Sequence, residues 1–127
     1  MYLGLRPEKE PLLRRVREIV RDEIMPREPD YWAEVEKGDR WQFTEVQMDI
    51  LEHLKALAKK EELFNLWWSD NPEGHALTTV EYAYFAEEMG KTPLAAEVFN
   101  CNAPDTGNME VFARYGSPDM QERRLKP

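Results

Sequence analysis

Two six-residue stretches of this 127-residue chain predict where α-helices begin: FTEVQM at 43–48 and LTTVEY at 77–82. In each stretch a threonine is followed three residues later by Gln or Glu, the capping-box pattern that satisfies backbone N–H groups at a helix start. The residues directly before the threonine and four positions after it are apolar, as in a hydrophobic staple. Apolar residues continue at helical spacing after both stretches, so the sequence predicts amphipathic helices with N-caps at Thr44 and Thr78.

The N-terminal third predicts one long helix followed by an irregular connection. Residues 8–25 place apolar side chains at helical spacing, and Pro26 is predicted to end this helix at the residue before it. Residues 27–43 are predicted to connect the first two helices, with a helical turn near 32–37. Within this connection Trp32 and Trp41 are expected to bury their rings against the core.

The second half of the chain predicts short helices separated by turns. Residues 63–68, LFNLWW, are predicted to be an extended apolar passage without a partner strand. Short helices are predicted at 94–99 after Thr92-Pro93, at 109–116, and at 118–125 after Ser117. The predicted fold is therefore all-α, an array or bundle of about six helices.

Composition and charge exclude several classes of function. Apolar residues are 42% of the chain and charged residues 33%, which is typical of one globular domain with a single core. The net charge is −8, and residues 31–100 carry fourteen Asp/Glu against six Lys/Arg. No basic stripe is present, which argues against nucleic-acid binding and against adhesion to an anionic membrane.

The single cysteine and the lack of long apolar runs predict the compartment. One cysteine allows neither an internal disulfide nor a zinc cluster. No segment has the h-region of a signal peptide or the roughly 20 apolar residues of a membrane span. A cytoplasmic protein with no membrane span is expected.

Common catalytic motifs are missing from the sequence. It contains no glycine-rich dinucleotide or phosphate loop, no H-E-x-x-H and no G-x-S-x-G. His53 and His75 lie in different segments, so no metal site is predicted. The adjacent pair Glu87–Glu88 does not indicate a catalytic pair, since neighbouring residues do not share a helix face, and both side chains are expected to be solvated.

The stretch NCNAPDTGN, residues 100–108, could be a metal loop, a redox site or a turn. An EF-hand pattern starting at Asn100 fails, because its fifth position is Pro104 and not an oxygen ligand. Cys101 has no basic neighbour that would lower its pKa, so a buried, inert thiol is expected. The turn interpretation is favoured, because side chains at 102, 105 and 106 can cap a helix start and Gly107 permits a close approach by another group.

The second half of the chain resembles acyl-CoA dehydrogenases. The run EYAYFAEEMGKTPLAAEVFNCNAPDTGNMEVFARYG, followed by SPDMQERRLKP, is similar to a subgroup of this family. The early run LLRRVREIVRDEIMPREP resembles the family's first helix, and residues 41–67 resemble its second helix and the passage after it. The family usually has Gln then Lys where this chain has Met120 then Gln121.

The resemblance implies that residues 1–127 are the N-terminal helical domain of such an enzyme. Family members are longer, with a middle β-domain and a C-terminal helical domain. These domains hold the FAD and supply the catalytic carboxylate, which is expected downstream of Pro127. Neither Glu97 nor Glu110 is therefore assigned a catalytic role, and no flavin is expected on this segment alone.

The resemblance also implies a site in this domain. In the family, the region corresponding to residues 99–107 helps to bound the acyl chain of the acyl-CoA substrate. By position, the residues at the floor of the acyl pocket are Phe99, Asn100, Asn102, Ala103 and Gly107. Side chains that simply pack the helices together remain an equal alternative for each of these residues.

Three functional hypotheses follow from the sequence. The first is the substrate-bounding domain of a flavin-dependent acyl-CoA dehydrogenase, inactive in isolation and self-associating through an apolar face that other domains normally cover. The second is a stand-alone helical module for protein interaction or acyl-group binding, without flavin. The third is the corresponding domain of an acyl-CoA oxidase or a non-catalytic relative.

Overall fold

A computed structural model describes residues 3–37, 39 and 41–125, and every regular element in this part of the chain is helical. The predicted all-α array of about six helices is confirmed. No helix in the described ranges is long and apolar enough to cross a membrane. The helices are α1 (Glu10–Ile19), α2 (Glu28–Val35), α3 (Glu45–Lys60), α4 (Thr79–Met89), α5 (Ala95–Val98), α6 (Asp105–Tyr115) and the single turn α7 (Pro118–Met120).

The path from α1 to α2 passes through Pro26 without leaving helical conformation. A wide π-helical turn, Val20–Ile24, and a tight 3₁₀ turn, Met25–Arg27, join the two helices. The prediction that Pro26 ends the helix is therefore wrong. A wider turn moves carbonyls away from the proline ring, and an Arg27 Nη1–H donates to the Glu23 carbonyl at 2.6 Å.

The predicted connection at 27–43 contains a full helix, and its tryptophans are not buried. Trp32 on α2 is 45% exposed and Trp41, in the turn after α2, is 79% exposed. Tyr31 is buried instead, with its backbone carbonyl facing the buried Gln47 side chain of α3. Successive residues on a helix point about 100° apart, so Tyr31 and Trp32 cannot both face α3.

Both predicted capping boxes are confirmed. In α3 the Thr44 N–H donates to Gln47 Oε1 at 3.0 Å, and the Gln47 N–H donates to Thr44 Oγ1 at 3.3 Å. In α4 the corresponding distances between Thr78 and Glu81 are 2.9 and 3.2 Å. The local sequence pattern alone therefore located these two helix starts.

Residues 64–67 form a turn, and 63–68 are not the predicted extended passage. Glu62 and Asn65 have φ values of 57° and 59°, in the left-handed region, and bend the chain twice within four residues. These bends turn Leu63 and Leu66 into the core, where both are almost fully buried. Burial of two leucines outweighs the local cost of the left-handed backbone.

The core is formed where α1 packs on α4, α2 on α3, and α5 on both α3 and α4. Each large apolar side chain that is fully buried contributes about 1.5–3 kcal/mol relative to an exposed one. The buried apolar residues in contact are Leu13, Val16, Ile19, Val20, Ile24, Tyr31, Leu51, Leu54, Ala58, Leu63, Leu66, Leu77, Phe85, Met89, Leu94, Ala95, Val98 and Phe99.

Charged contacts also join α1 to α4. Glu88 is buried and accepts hydrogen bonds from Arg17 Nε at 2.8 Å and from Lys91 Nζ. The prediction of a solvated Glu87–Glu88 pair is therefore wrong for Glu88, while Glu87 is exposed. The carboxylate is buried because two cations reach it.

Candidate functional site

The candidate site is the α5–α6 junction, defined as residues 99–104, with the turn at 62–68 packed against it. Phe99 ends α5 and is fully buried in the core. Its carbonyl accepts hydrogen bonds from the Asn65 N–H at 3.1 Å and from the Cys101 thiol at 3.3 Å. Phe99 therefore connects the core to the junction.

Two asparagines join the junction to the neighbouring turn. Asn100 has a φ of 53°, so Asn100 and Asn65 are both left-handed. The Asn100 side-chain amide donates to Asn65 Oδ1 at 2.7 Å and contacts Met109 Sδ at 3.1 Å. Asn65 was not predicted as part of this junction, although an asparagine inside the apolar run LFNLWW is the kind of residue that tolerates φ > 0.

Asn102 belongs to a polar network that reaches α3. Its side-chain amide donates to Glu97 Oε2 at 2.5 Å, and Glu97 Oε1 pairs with Lys55 on α3. The Asn102 Oδ1 atom is buried without a partner, as is the Trp67 Nε1 atom of the neighbouring turn. A buried polar atom left unpaired is costly to the fold.

Cys101 lies in this junction as a protected thiol. Burial raises the pKa of Cys101 to about 11, with hydrogen bonds at the Trp67 and Leu66 backbone and at the Tyr82 hydroxyl acting against this shift. Burial also raises the pKa of Tyr82 above its ordinary value. A thiol in this state is a poor nucleophile at neutral pH, in agreement with the expected inert cysteine.

The other two predicted pocket residues lie on the surface at the start of α6. Ala103 and Gly107 are both exposed, and a Cβ added at Gly107 would meet no atom within 4 Å. The prediction that side chains cap this helix is wrong: α6 begins after Pro104 without a side-chain hydrogen bond. Instead, the Asn102 carbonyl accepts from the Thr106 N–H at 3.2 Å.

The structure therefore brings Phe99, Asn100 and Asn102 together but leaves Ala103 and Gly107 facing outward. None of these five residues lines either of two cavities that lie elsewhere in the described part of the chain. No cluster of three or more potential metal-ligating side chains occurs among the described residues.

The two cavities lie outside the junction. One, of about 330 Å³, lies between α2 and α3, and the other, of about 340 Å³, lies beside the start of α1. Both volumes are at the lower end of the range for drug-sized ligands. Neither is lined by a glycine-rich helix start of the kind that receives a diphosphate.

Comparison with known proteins identifies relatives over nearly the whole chain. A family model described as acyl-CoA dehydrogenase, N-terminal domain, matches residues 6–127. Acyl-CoA dehydrogenase family member 10 of Mus musculus is 39% identical over 129 residues, which cover 98% of this chain and 12% of that protein. Acyl-CoA dehydrogenase family member 11 of Homo sapiens is 36% identical over 131 residues, covering 100% of this chain and 16% of that protein.

A solved structure shows the same relationship in three dimensions. The chain is similar to a protein of Mycobacterium abscessus assigned as an acyl-CoA dehydrogenase, with a TM-score of 0.81 and 38% identity. The match covers 98% of this chain and 32% of that one. This chain therefore spans about a third of the solved relative and under a fifth of the two curated relatives.

Proposed function

This chain belongs to the family of acyl-CoA dehydrogenase N-terminal domains, and from this premise we propose that it bounds the acyl pocket of a flavin-dependent acyl-CoA dehydrogenase. The other walls of that pocket, the FAD and the catalytic carboxylate come from further parts of the enzyme. This chain alone is inactive. A cytoplasmic location stays a prediction from the cysteine content.

The observation that carries the proposal is the uncovered face of α6. No residue of α6 is buried, and Val111 and Tyr115 are 55% and 81% exposed. Such a helix stabilises a fold only when something else covers its apolar side. The match covers 32% of the solved relative, so about two thirds of that protein lies outside it. We propose that domains equivalent to this additional part of the relative cover α6.

The placement of the junction supports a role in bounding the acyl chain. Ala103 and Gly107 are small and exposed at the start of α6, so a ligand or domain can approach this surface closely. Behind them, the left-handed Asn100 and the buried Phe99 hold the backbone on the core. A rigid wall with small side chains suits a pocket end whose depth depends on side-chain size.

The first experiment tests the isolated 127-residue chain. We expect no flavin absorbance after purification in the presence of FAD and no dye-linked oxidation of acyl-CoA. Flavin binding with turnover by the chain alone would overturn the proposed inactivity. Calorimetry with acyl-CoAs of several lengths tests the stand-alone acyl-binding alternative, which requires measurable affinity without flavin.

The second experiment tests the pocket in the complete enzyme that carries this domain. Gly107→Leu is expected to lower kcat/KM for long acyl-CoAs by about tenfold while sparing short ones, since added methylenes fill the end of the pocket. Thr79→Leu, on the exposed start of α4, is the matched control. An equal loss for all chain lengths would contradict a role in bounding the acyl chain.

A further inference from the structure

The position of α6 depends on few contacts with the rest of the described fold. None of its residues is buried, and among the described helical elements it packs mainly on the turn Gln121–Leu125 that follows it in sequence. The ion pair of Arg114 with Asp70 is long, at 3.7 Å, and its two side chains are largely exposed. Because exposed ion pairs contribute little, the position of α6 depends mainly on contacts nearer the α5–α6 junction.

Asn65 is a fixed point beside this junction. Leu63 and Leu66, which flank it in sequence, are almost fully buried in the core. The Asn65 N–H donates to the Phe99 carbonyl at 3.1 Å, and the Asn65 carbonyl accepts from the Trp68 N–H at 3.0 Å. The backbone of Asn65 is therefore held both by the core and by the end of α5.

The side chain of Asn65 extends this fixed point towards α6. Its Oδ1 atom accepts a hydrogen bond from the Asn100 side-chain amide at 2.7 Å, and the same nitrogen contacts Met109 Sδ on α6 at 3.1 Å. An amide NH₂ group has two N–H bonds, so the Asn100 side chain can serve both partners. A continuous series of contacts thus runs from the core through Asn65 and Asn100 to the half-buried Met109.

We propose that Asn65 is a positioning residue, whose side chain fixes α6 against the core and thereby sets the chain-length selectivity of the acyl pocket. This inference rests on the proposed function, in which Ala103 and Gly107 at the start of α6 bound the acyl chain. A pocket discriminates between chain lengths only if its end wall does not yield. In a rigid apolar pocket, one methylene group changes kcat/KM by about tenfold or more.

The test removes the Asn65 side chain while keeping the backbone conformation. Asn65→Gly removes the Oδ1 acceptor, and glycine adopts φ > 0 without strain. Asn65→Asp keeps an oxygen acceptor and tolerates the left-handed region. Glu62→Gly is the matched control, because Glu62 has a φ of 57° in the same segment and an exposed side chain.

Chain-length selectivity is measured in the complete enzyme that carries this domain. Asn65→Gly is expected to lower the ratio of kcat/KM between the preferred acyl-CoA and a longer homologue by about threefold, because a wall that can shift accepts the longer chain. Asn65→Asp and Glu62→Gly should keep the ratio of the parent enzyme. A purely structural role would lower kcat/KM equally for both substrates, and that outcome would overturn the proposal.

Gly107→Leu, assayed in parallel, separates failure of this inference from failure of the proposed function. A changed ratio in Gly107→Leu with an unchanged ratio in Asn65→Gly would reject the role of Asn65 and leave the pocket wall in place. An unchanged ratio in both variants would reject the pocket wall and, with it, the role of Asn65.

A double-mutant cycle tests the link to α6 without turnover. Asn100 has a left-handed φ of 53°, so glycine fits there as well. In hydrogen exchange of the 127-residue chain, the α6 amides should exchange several-fold faster in Asn65→Gly and in Asn100→Gly than in the parent. The double variant should exchange no faster than Asn100→Gly alone. Additive effects, or exchange at the parent rate in Asn65→Gly, would overturn the proposal.

Discussion

At the scale of single residues, Glu81 joins local and tertiary structure. Its carboxylate accepts a hydrogen bond from the Thr78 N–H at the start of α4. It also accepts hydrogen bonds from Arg6 Nε at 2.5 Å and from Arg6 Nη2 at 2.7 Å. These hydrogen bonds lower the pKa of Glu81 to about 2, and those from the Arg6 side chain have the largest effect. One side chain therefore starts a helix and anchors the N-terminal segment to it.

This lowered pKa predicts how stability depends on pH. Glu81 binds a proton less readily in the folded chain than in the unfolded chain, where its ordinary pKa is 4.5. The stabilisation of the fold by ionised Glu81 is therefore fully present above about pH 4.5. It is lost as the pH falls towards 2. Glu81→Gln should have a lower thermal midpoint than the parent at pH 7, and the difference should shrink between pH 4.5 and pH 2.5, as followed by circular dichroism.

The control for this prediction is Glu52→Gln, an exposed acid on α3. It should keep the pH dependence of the parent chain, because the Glu52 side chain is exposed. If Glu81→Gln and the parent lose stability in parallel from pH 7 to pH 2.5, the Arg6–Glu81 pair does not control the acid limb.

At the scale of elements, helix starts and helix ends are held by different means. α3 and α4 start with capping boxes that lie within four residues of sequence. The end of α6 is capped by a side chain that follows the helix. Gln121 Nε2 donates to the carbonyls of Phe112 and Gly116, at 3.2 and 3.1 Å. Only the first kind of contact could be recognised in the sequence, and the role of Gln121 came from the structure.

The caps predict matched losses of stability. Thr78→Ala should lower the free energy of unfolding by about 1 kcal/mol, because it leaves the Glu81 N–H without its acceptor. Thr79→Ala, at the next and exposed position, should change it by less than about 0.5 kcal/mol. Urea unfolding of the isolated chain measures both. Equal effects of the two substitutions would show that the capping box adds no stability.

At the scale of the whole molecule, one helix, α6, lies outside the core. Helices α1 through α5 all contribute buried residues to the core, whereas α6 contributes none. Its exposed Val111 and Tyr115 lie on the helix that follows the junction proposed to bound the acyl chain. The same surface thus supports both the proposed contact with other domains and the expected self-association of the isolated chain.

This surface predicts association that depends on concentration. In sedimentation velocity, the isolated chain should form dimers or larger species as its concentration rises, because copies cover one another's α6 face. The double substitution Val111→Ser with Tyr115→Ser should shift this association to higher concentration. Val80→Ser, an exposed valine on α4, serves as the control and should not. A chain that stays monomeric throughout would contradict the prediction.

Contacts between residues close in sequence were the most predictable part of this protein. The N-caps at Thr44 and Thr78, the all-α class and the apolar faces depend on spacing within a few residues, which the chain carries directly. The resemblance of residues 81–127 to acyl-CoA dehydrogenases named a family that the comparisons then showed. These properties were determined by the sequence itself.

Tertiary packing decided what local patterns could not. Pro26 should end a helix, yet burial of Val20 and Ile24 holds the backbone in helical turns through it. The backbone at Leu63 and Leu66 was predicted to be extended, yet two left-handed residues turn these leucines into the core. The orientation of Trp32 depended on which face of α2 meets α3. In each case burial of apolar surface, contributed by distant residues, outweighs a local preference worth about 1–3 kcal/mol.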